Sequence, residues 1–335
     1  MRLLLLLSKQ DLALSQAEAE AVFRRKGKRI GNVLLIEGEM LQCRRLAYTK
    51  QAYQHLFEAA AQDLSKKIAR FSWRRVYRKS FAVRVHNSAV SERELADIIW
   101  KRLSKPKVDL RQPETLIAFF FAKKMVHAGK LVWENDEWFE QRRPHLRPGH
   151  APTSMHPRLA RALVNLTGIR KGMLLDPFCG TGGILVEAGL MGLRPVGYDT
   201  NRKILARCRA NLSHFRIKGC QLRLEDARNM KRKYDWMATD LPYGRNSPIP
   251  KRLYHEFLTI LKRFLGKQAV LMMPNTIPAA SIKAHGFQVL HVFDLYVHRN
   301  LTRRIFVVRI SAVRNRSRAG QNAPSGNSAA RSASR

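Results

Sequence analysis

The chain has 335 residues, of which 45% are hydrophobic, and its 62 lysines and arginines outnumber 25 aspartates and glutamates, which gives a formal net charge of +37. This excess of positive charge attracts polyanions, so nucleic acid is the expected partner, and the length predicts at least two domains. We expect a cytoplasmic protein without a membrane span or a disulfide framework, because no apolar run reaches roughly 18 residues and the four cysteines form no Cys-x-x-Cys pair.

The first fifty residues predict a small unit of strands and one helix. Residues 2–7 form a short apolar strand, and residues 12–25 have the apolar spacing of a helix. Residues 31–36 return to strand character, and residues 46–48 are a second short apolar run.

Residues 51–133 predict an α+β unit with basic edges. Residues 51–70 are interpreted as an increasingly basic helix. Residues 73–79 interleave aromatic and basic side chains, which fits either a surface that follows a nucleic-acid backbone or an ordinary solvated segment. Ser91 and Glu94 have the spacing of a capping box that opens a helix. The predicted strands are residues 80–86, 115–122 and 130–133.

The next segment, residues 134–152, lacks a helical or strand period and is predicted to be a linker. Residues 153–168 then predict an amphipathic helix that leads into the second half of the chain. At the far end, residues 313–335 contain no acidic side chain and little apolar surface. We expect them to form a disordered basic tail that adds non-specific affinity for phosphates.

Strands and helices alternate regularly from residue 173, which predicts a mostly parallel sheet with right-handed crossovers. The last two strands are joined by a short link and must pair as an antiparallel hairpin. The fold class is therefore α/β, with a Rossmann-like seven-stranded methyltransferase sheet over residues 153–312. The predicted strands are 173–175, 195–198, 221–224, 235–239, 268–273, 287–297 and 304–310, and the predicted helices are 184–191, 202–215, about 250–265 and 277–284.

A glycine-rich turn follows the first of these strands. Gly180, Gly182 and Gly183 let the backbone turn sharply near a ligand, and the following helix directs free N–H groups into the turn. The spacing lacks the third glycine of a dinucleotide fingerprint and the Gly-Lys-Ser/Thr of a triphosphate loop. Asp176, at the strand end, would repel a pyrophosphate but suits the ammonium of S-adenosylmethionine.

Further acids follow the next strands in order. Asp199 can accept from both ribose hydroxyls, as an acid after the second strand does in nucleotide-binding α/β folds. Asp226 can accept from an adenine amine while the backbone N–H of Ala227 donates to the ring. Four acids at successive strand ends, the last of them Asp240, are hard to explain by packing alone.

The stretch Asp240-Leu241-Pro242-Tyr243 predicts a catalytic loop. An exocyclic base amine is a poor nucleophile because its lone pair is delocalised into the ring. A carboxylate and a neighbouring carbonyl can accept its two N–H groups and favour a more nucleophilic geometry, so catalysis depends on holding donor and acceptor in line. Pro242 fixes the loop, and Tyr243 offers a ring on which a flipped base can stack.

The histidines are spread along the chain without the spacing of a metal site, and the cysteines have no histidine partners at zinc spacing. No metal is therefore expected, and we interpret the histidines as surface or core residues.

The motif Asp176-Pro-Phe178-Cys-Gly-Thr-Gly-Gly183, together with Asp240-Leu-Pro-Tyr-Gly-Arg245, resembles those of the THUMP-containing tRNA guanine-N2 methyltransferases. Among them it is most similar to the archaeal group that makes N2-methyl- and N2,N2-dimethylguanosine at position ten. The similarity extends over nearly the whole chain. Residues 1–50 resemble an N-terminal ferredoxin-like domain, and residues 51–133 resemble a THUMP domain.

The resemblance implies a cofactor, a substrate and residue roles. It implies that S-adenosylmethionine is held by Asp176, Phe178 and the glycine turn, with Asp199 at the ribose and Asp226 and Ala227 at the adenine. It assigns the guanine amine to Asp240 and Pro242, with Tyr243 in the same loop. It further implies that the THUMP domain grips the 3′ end of the tRNA acceptor stem. The commoner loop is Asp/Asn-Pro-Pro-Tyr, and Leu241 departs from it while keeping both catalytic groups.

Two alternatives remain open at this point. Asp-x-Pro-Tyr also suits the amines of adenine and cytosine, so the chain could methylate DNA, ribosomal RNA or another position in tRNA. The charge alone would also fit a non-catalytic RNA-binding protein. We expect a monomer in either case.

Overall fold

Two seven-stranded sheets organise the computed structural model, which describes residues 1–151, 154–243, 252–298 and 301–311. The first sheet is built from the N-terminal 134 residues, and the second follows a short packed segment. A search of these described residues finds no helix with the length and apolar character needed to cross a bilayer.

The first elements agree with the sequence pattern except at residues 46–48, which are buried but lie outside any strand. Leu3–Leu7 are buried, which explains the apolar run, and Asp11 caps the first helix by accepting from the Leu14 N–H at 2.9 Å. The elements in order are β1 (Arg2–Leu7), α1 (Leu12–Phe23), β2 (Lys28–Ile30), β3 (Val33–Glu37), α2 (Met40–Cys43) and β4 (Thr49–Ala60).

The prediction of a helix over residues 51–70 is wrong for its first ten residues. These residues lie in β4, a strand that pairs antiparallel with β1. Only the end of the predicted segment is helical, in α3 (Leu64–Arg70). A central strand that can pair on both sides overrides the helix propensity of its alanines, glutamines and glutamate.

The predicted strands 80–86 and 115–122 match within one residue, whereas the strand predicted over 130–133 begins earlier, at Met125. The Ser91 half of the predicted capping box is present, since the Ser91 hydroxyl accepts from the Glu94 N–H at 3.4 Å. These elements are β5 (Phe81–His86), α4 (Glu92–Trp100), β6 (Thr115–Ala122) and β7 (Met125–Glu134).

The strand order of the first sheet is β2-β3-β1-β4-β7-β6-β5. The sheet therefore continues across residue 50, because β4 pairs with β1 on one side and with β7 on the other. A ferredoxin-like domain over 1–50 and a THUMP domain over 51–133 would share this sheet, and that division stays a prediction.

Only some of the aromatic and basic residues over 73–79 lie at the surface. Trp73 is 1% exposed, and its indole N–H donates to the Ile68 carbonyl at 2.8 Å. Arg74 and Arg75 remain exposed. The tryptophan therefore serves the core and cannot stack on a base, while the arginines stay free to meet phosphates.

The second sheet confirms the predicted alternation. Its strand order is β10-β9-β8-β11-β12-β14-β13, with parallel pairing from β10 to β12 and antiparallel pairing of β14 with both neighbours. The strands are β8 (Met173–Asp176), β9 (Arg194–Asp199), β10 (Gln221–Leu224), β11 (Tyr234–Asp240), β12 (Leu265–Pro274), β13 (Phe287–His298) and β14 (Leu301–Ile310), and the helices are α5 (Pro157–Leu166), α6 (Gly183–Leu190), α7 (Arg202–His214), α8 (Leu253–Phe264) and α9 (Ala279–Ala284).

The segment between the sheets, predicted to be a linker, is packed onto the second half of the chain. It forms two short 3-10 turns, and Phe139 is buried against the guanidinium groups of Arg142, Arg158 and Arg161. The predicted basic tail over 313–335, and Gly244 and Arg245 of the catalytic motif, lie outside the described residues.

Candidate active site

The carboxyl ends of four neighbouring parallel strands bring the predicted acids to one edge of the second sheet. β8 ends at Asp176, β9 at Asp199 and β11 at Asp240, and Asp226 follows the end of β10. These strands are adjacent in the order β10-β9-β8-β11. Because open α/β sheets bind ligands outside the carboxyl ends of their strands, this edge is the candidate active site.

The glycine turn connects β8 to α6 at this edge. Gly180 and Gly182 have positive φ angles of 51° and 85°, which favour glycine. A Cβ at Gly180 would meet nothing within 4 Å, whereas one at Gly182 would lie 2.6 Å from Cys208 Sγ. Gly182 is therefore required for packing as well as for its angle. Gly183 begins α6, whose first N–H groups face the turn.

Asp176 is the most deeply buried of the four acids, at 2% exposed. Its Oδ1 accepts from the Thr239 hydroxyl at 2.7 Å and from the Phe178 N–H at 3.2 Å. Burial raises the pKa of Asp176 to about 7, and the charges of Asp240 and Asp199 add to the rise. The Thr239 hydrogen bond ties the end of β11 to the end of β8.

Asp199 lies against the glycine turn. Its Oδ2 accepts from the Gly180 N–H at 3.1 Å, and its Oδ1 accepts from the Asn201 N–H at 2.8 Å. Burial raises its pKa, while these backbone donors act in the opposite direction. Each carboxylate oxygen keeps a second lone pair, so Asp199 can still accept from hydroxyl groups.

Both carboxylate oxygens of Asp226 already have a hydrogen-bond partner, Arg228. Arg228 binds both of its carboxylate oxygens, with its Nη2 2.7 Å from Oδ2 and its Nε 3.0 Å from Oδ1, and these hydrogen bonds lower the pKa of Asp226. Ala227 is buried beside it in the core of the second sheet. Phe178 packs edge-on against Phe257, with ring centroids 5.1 Å apart.

The predicted catalytic loop leaves the end of β11. Leu241 is fully buried in the same core, and its N–H donates to the Met272 carbonyl at 2.9 Å. This explains why a leucine is accepted at the second position of the loop. The Pro242 carbonyl accepts from the Tyr254 hydroxyl at 2.7 Å, which fixes the loop and leaves the carbonyl one further lone pair.

Arg303 on β14 binds this loop and was not identified from the sequence. Its side chain is 1% exposed, and its Nη2 donates to Asp240 Oδ1, to the Leu241 carbonyl at 2.9 Å and to the Met272 carbonyl at 3.0 Å. Its Cζ lies 4.1 Å from the centroid of the Tyr243 ring. One arginine therefore positions both the carboxylate and the aromatic ring of the loop.

Asp240 keeps one side open. Its side chain is 22% exposed, and within the described ranges its Oδ2 has no hydrogen-bond partner. Burial raises the pKa of Asp240 to about 6, and Arg303 acts in the opposite direction. At neutral pH the carboxylate is therefore ionised and can accept a hydrogen bond.

The structure thus brings the strand-end acids together and adds three residues that sequence reasoning missed: Thr239, Tyr254 and Arg303. Each acts through a contact made across the fold, and none lies in a recognisable motif. For Thr239, the sequence offers one signal, which is a hydroxyl side chain directly before Asp240.

Comparisons with known proteins identify relatives of this chain. The family model for the UPF0020, RMKL-like methyltransferase domain matches residues 144–303, a range that includes every predicted site residue and Arg303. The tRNA (guanine(10)-N2)-dimethyltransferase of Methanothermobacter thermautotrophicus is 37% identical over 281 residues, covering 79% of this chain and 83% of the relative.

A second relative and a solved structure extend the comparison. The tRNA (guanine(10)-N2)-dimethyltransferase of Methanocaldococcus jannaschii is 31% identical, covering 69% of this chain and 71% of the relative. TrmN from Thermus thermophilus has a TM-score of 0.52 at 20% identity, covering 92% of this chain and all (100%) of that one. At this identity the solved structure shows a shared fold.

Proposed function

The chain belongs to the family of tRNA (guanine(10)-N2)-dimethyltransferases, and we therefore propose that it methylates the exocyclic N2 amine of a guanosine in tRNA with S-adenosylmethionine as the methyl donor. The proposed nucleotide is guanosine 10, which receives one methyl group and then a second. The hydrogen bond from Thr239 to Asp176 carries the proposal, because it fixes the loop that would hold the amine beside the acid that would hold the donor.

The residues at the glycine turn fit S-adenosylmethionine. Within the described residues Asp176 Oδ2 has no hydrogen-bond partner, and burial disfavours the ionised carboxylate. The positive charge of a bound ammonium would stabilise the ionised form. Gly180 leaves open space beside the turn, so a ligand can approach the backbone there. Asp199, already oriented by Gly180, would accept from the ribose hydroxyls. When bound, the sulfonium supplies an electrophilic methyl group.

Asp240 and Pro242 would hold the guanine amine. Asp240 Oδ2 and the free lone pair of the Pro242 carbonyl accept its two N–H groups, which reduces the delocalisation of the nitrogen lone pair into the ring. Tyr243 has one ring face against Arg303, which leaves the opposite face to stack on the base. The residues contribute mainly by holding the amine in line for transfer.

The N-terminal sheet would provide the tRNA-binding surface, with residues 51–133 as the THUMP domain. Exposed basic side chains such as Arg74, Arg75 and Lys79 border this part of the chain, and the net charge of +37 favours binding to a polyanion. The proposal includes a monomer that works in the cytoplasm. Light scattering after size-exclusion chromatography tests the monomer.

A methyl-transfer assay tests the proposal directly. The full chain is incubated with labelled S-adenosylmethionine and an unmodified tRNA transcript, and the product nucleosides are identified by mass spectrometry. We expect N2-methyl- and N2,N2-dimethylguanosine, and no incorporation into a matched transcript with adenosine at position 10. Methylation of that control would show that the enzyme modifies a nucleotide other than guanosine 10. Binding of tRNA without incorporation would instead favour an RNA-binding protein.

Asp240→Ala tests the catalytic loop. Alanine removes the acceptor for the guanine amine, whereas asparagine, which the commoner form of this loop also carries, would keep an accepting oxygen at that position. We expect kcat to fall by about 10²–10⁴-fold, while calorimetry shows unchanged affinity for S-adenosylmethionine. A variant with wild-type kcat would contradict the assignment of Asp240.

A further inference from the structure

Two histidines and a glutamate form a cluster in the first sheet, far along the chain from the proposed catalytic residues. His55 and Glu58 lie on β4, and His127 lies on β7. One ligand atom from each side chain, a ring nitrogen or a carboxylate oxygen, lies within 4.8 Å of the other two. The methyl-transfer reaction uses none of these groups.

A β-bulge creates this cluster. In a regular strand, side chains three residues apart point to opposite faces of the sheet, so His55 and Glu58 would be separated. The pairing of β4 with β7 shifts register between His55 and Phe57, so that Glu58 pairs with His127 and His55 pairs with Gly129. The one-residue shift moves His55 to the face of Glu58 and His127. Linear spacing could not reveal this, which is why the sequence predicted no metal site.

Each histidine of the cluster has one buried ring nitrogen that lacks a hydrogen-bond partner among the described residues. His127 is 4% exposed, and its buried Nδ1 lies 3.4 Å from Glu58 Oε2 without forming a hydrogen bond. The buried Nε2 of His55 is also without a partner within the described residues. Unsatisfied buried polar atoms cost about 1–3 kcal/mol each, so two in one cluster call for an explanation.

We propose that His55, Glu58 and His127 bind one Zn²⁺ ion, with water in the fourth position. Two imidazoles and one carboxylate are ligands that Zn²⁺ accepts, and bonds of roughly 2.0–2.2 Å in a tetrahedron place ligand atoms about 3.4 Å apart. The distance between His127 Nδ1 and Glu58 Oε2 already has this value. The ion would link β4 to β7. In the first sheet these two neighbouring strands connect β2, β3 and β1 on one side to β6 and β5 on the other.

Glu58 supplies the negative charge that the ion needs, and the two imidazoles would bind it as neutral ligands.

Calorimetric titration with ZnCl₂ tests the site on the full, untagged chain after treatment with a chelator. We expect one ion per chain and a higher melting temperature with the ion bound. Glu58→Gln and His55→Gln should each weaken binding by about tenfold or more. Glu58 has a 53% exposed side chain, so its variant is expected to fold, and melting of the metal-free protein verifies this.

His86→Gln is the matched control. His86 also has a buried Nε2 without a partner in the ranges that the structure describes, but its ring stacks on Phe120 outside the cluster. It should bind Zn²⁺ as the wild type does. Failure of the wild type to bind, or unchanged binding by both cluster variants, overturns the proposal. So does a Co²⁺ absorption spectrum with thiolate charge-transfer bands, because these would locate the ion at the cysteines.

Discussion

Arg303 illustrates how much of the proposed active site depends on one side chain. A buried guanidinium is costly unless it is compensated, and here a carboxylate, two carbonyls and an aromatic ring compensate it. Its Nε and Nη1 have no hydrogen-bond partner in the part of the chain that the structure describes. We interpret Arg303 as a positioning residue, which acts on the reaction through Asp240.

Arg303→Gln should slow methyl transfer and change its pH dependence. Losing the positive charge raises the pKa of Asp240 above about 6, so the acid limb of the kcat profile should move to higher pH. Displacement of the loop by about an ångström can cost on the order of 10²-fold in kcat. The control is Arg304→Gln, because Arg304 pairs with the exposed Asp294. Equal acid limbs in the two variants would refute the role of Arg303.

The charge of Asp176 should lower the stability of the ligand-free protein and favour binding of the ligand. Its pKa rises from 3.8 to about 7 on folding, so the folded chain binds more protons than the unfolded chain between these values. Stability contributed by this group is therefore lost as the pH rises toward 7. Asp176→Asn should raise the melting temperature of the ligand-free protein by several degrees at pH 8, and the difference should vanish near pH 4. The same variant should bind S-adenosylmethionine more weakly by calorimetry.

An Asp176→Asn protein that melts like the wild type at pH 8 would show that the buried charge is compensated within the chain. Thr239 and Phe178 can still donate to the amide oxygen of asparagine, so the substitution isolates the charge from the hydrogen bonds.

Residues at strand ends could be predicted from the sequence, while their partners could not. Asp176, Asp199 and Asp240 each follow an apolar run, and parallel strands bring such ends together whatever the details of packing. Arg303 is one of 62 lysines and arginines, and it meets Asp240 only because β12 lies between β11 and β14. No local pattern encodes that relation.

At the scale of elements, a buried ion network fixes the segment between the two sheets. Glu187 on α6 is fully buried and accepts from Arg142 at 2.9 Å and from Arg161 at 2.9 Å. Glu137 completes the network by binding both arginines. The segment that the sequence predicted as a linker is therefore attached to α5 and α6 by charge as well as by apolar contact.

Glu187→Gln should be strongly destabilising. The substitution leaves two buried arginines with one carboxylate between them, and removing one partner of a buried pair costs about 3–5 kcal/mol. The urea midpoint should fall without a change in the slope of the transition. The control is Glu140→Gln, since Glu140 and its partner Arg143 are 58% and 48% exposed, and such pairs contribute about 1 kcal/mol or less. Equal midpoints in the two variants would contradict this account.

β4 shows why a strand can be predicted as a helix. Its pairing with β7 shifts register at two places, between Ala52 and Tyr53 and between His55 and Phe57. The first shift adds a residue to β7, and the second adds Leu56 to β4 and breaks its two-residue alternation there. Ala52, Tyr53 and Phe57 are buried in three different clusters, because this central strand is covered on both faces, and their spacing is close to that of a helix face. Strands β8–β14 alternate with helices along most of the second half, and their bounds agree with the prediction within a few residues.

At the scale of the whole molecule, the two halves share one hydrophobic core. Leu14 and Ala17 of α1 belong to the same buried cluster as Leu159 and Leu163 of α5. Polar contacts reinforce this junction, because the buried Glu18 accepts from the Asn165 side chain at 2.7 Å. Buried apolar and polar contacts thus join the part proposed to bind tRNA to the part proposed to bind the methyl donor.

The full chain should therefore unfold in a single calorimetric transition. A fragment of residues 134–335 should melt at a lower temperature than the full chain, because each large apolar side chain that loses its cover costs about 1.5–3 kcal/mol. Leu14→Ala in the full chain should lower the one transition without splitting it, at a cost of about 2–5 kcal/mol. Two separate transitions, one of them at the melting temperature of the fragment, would show that the shared core does not couple the halves.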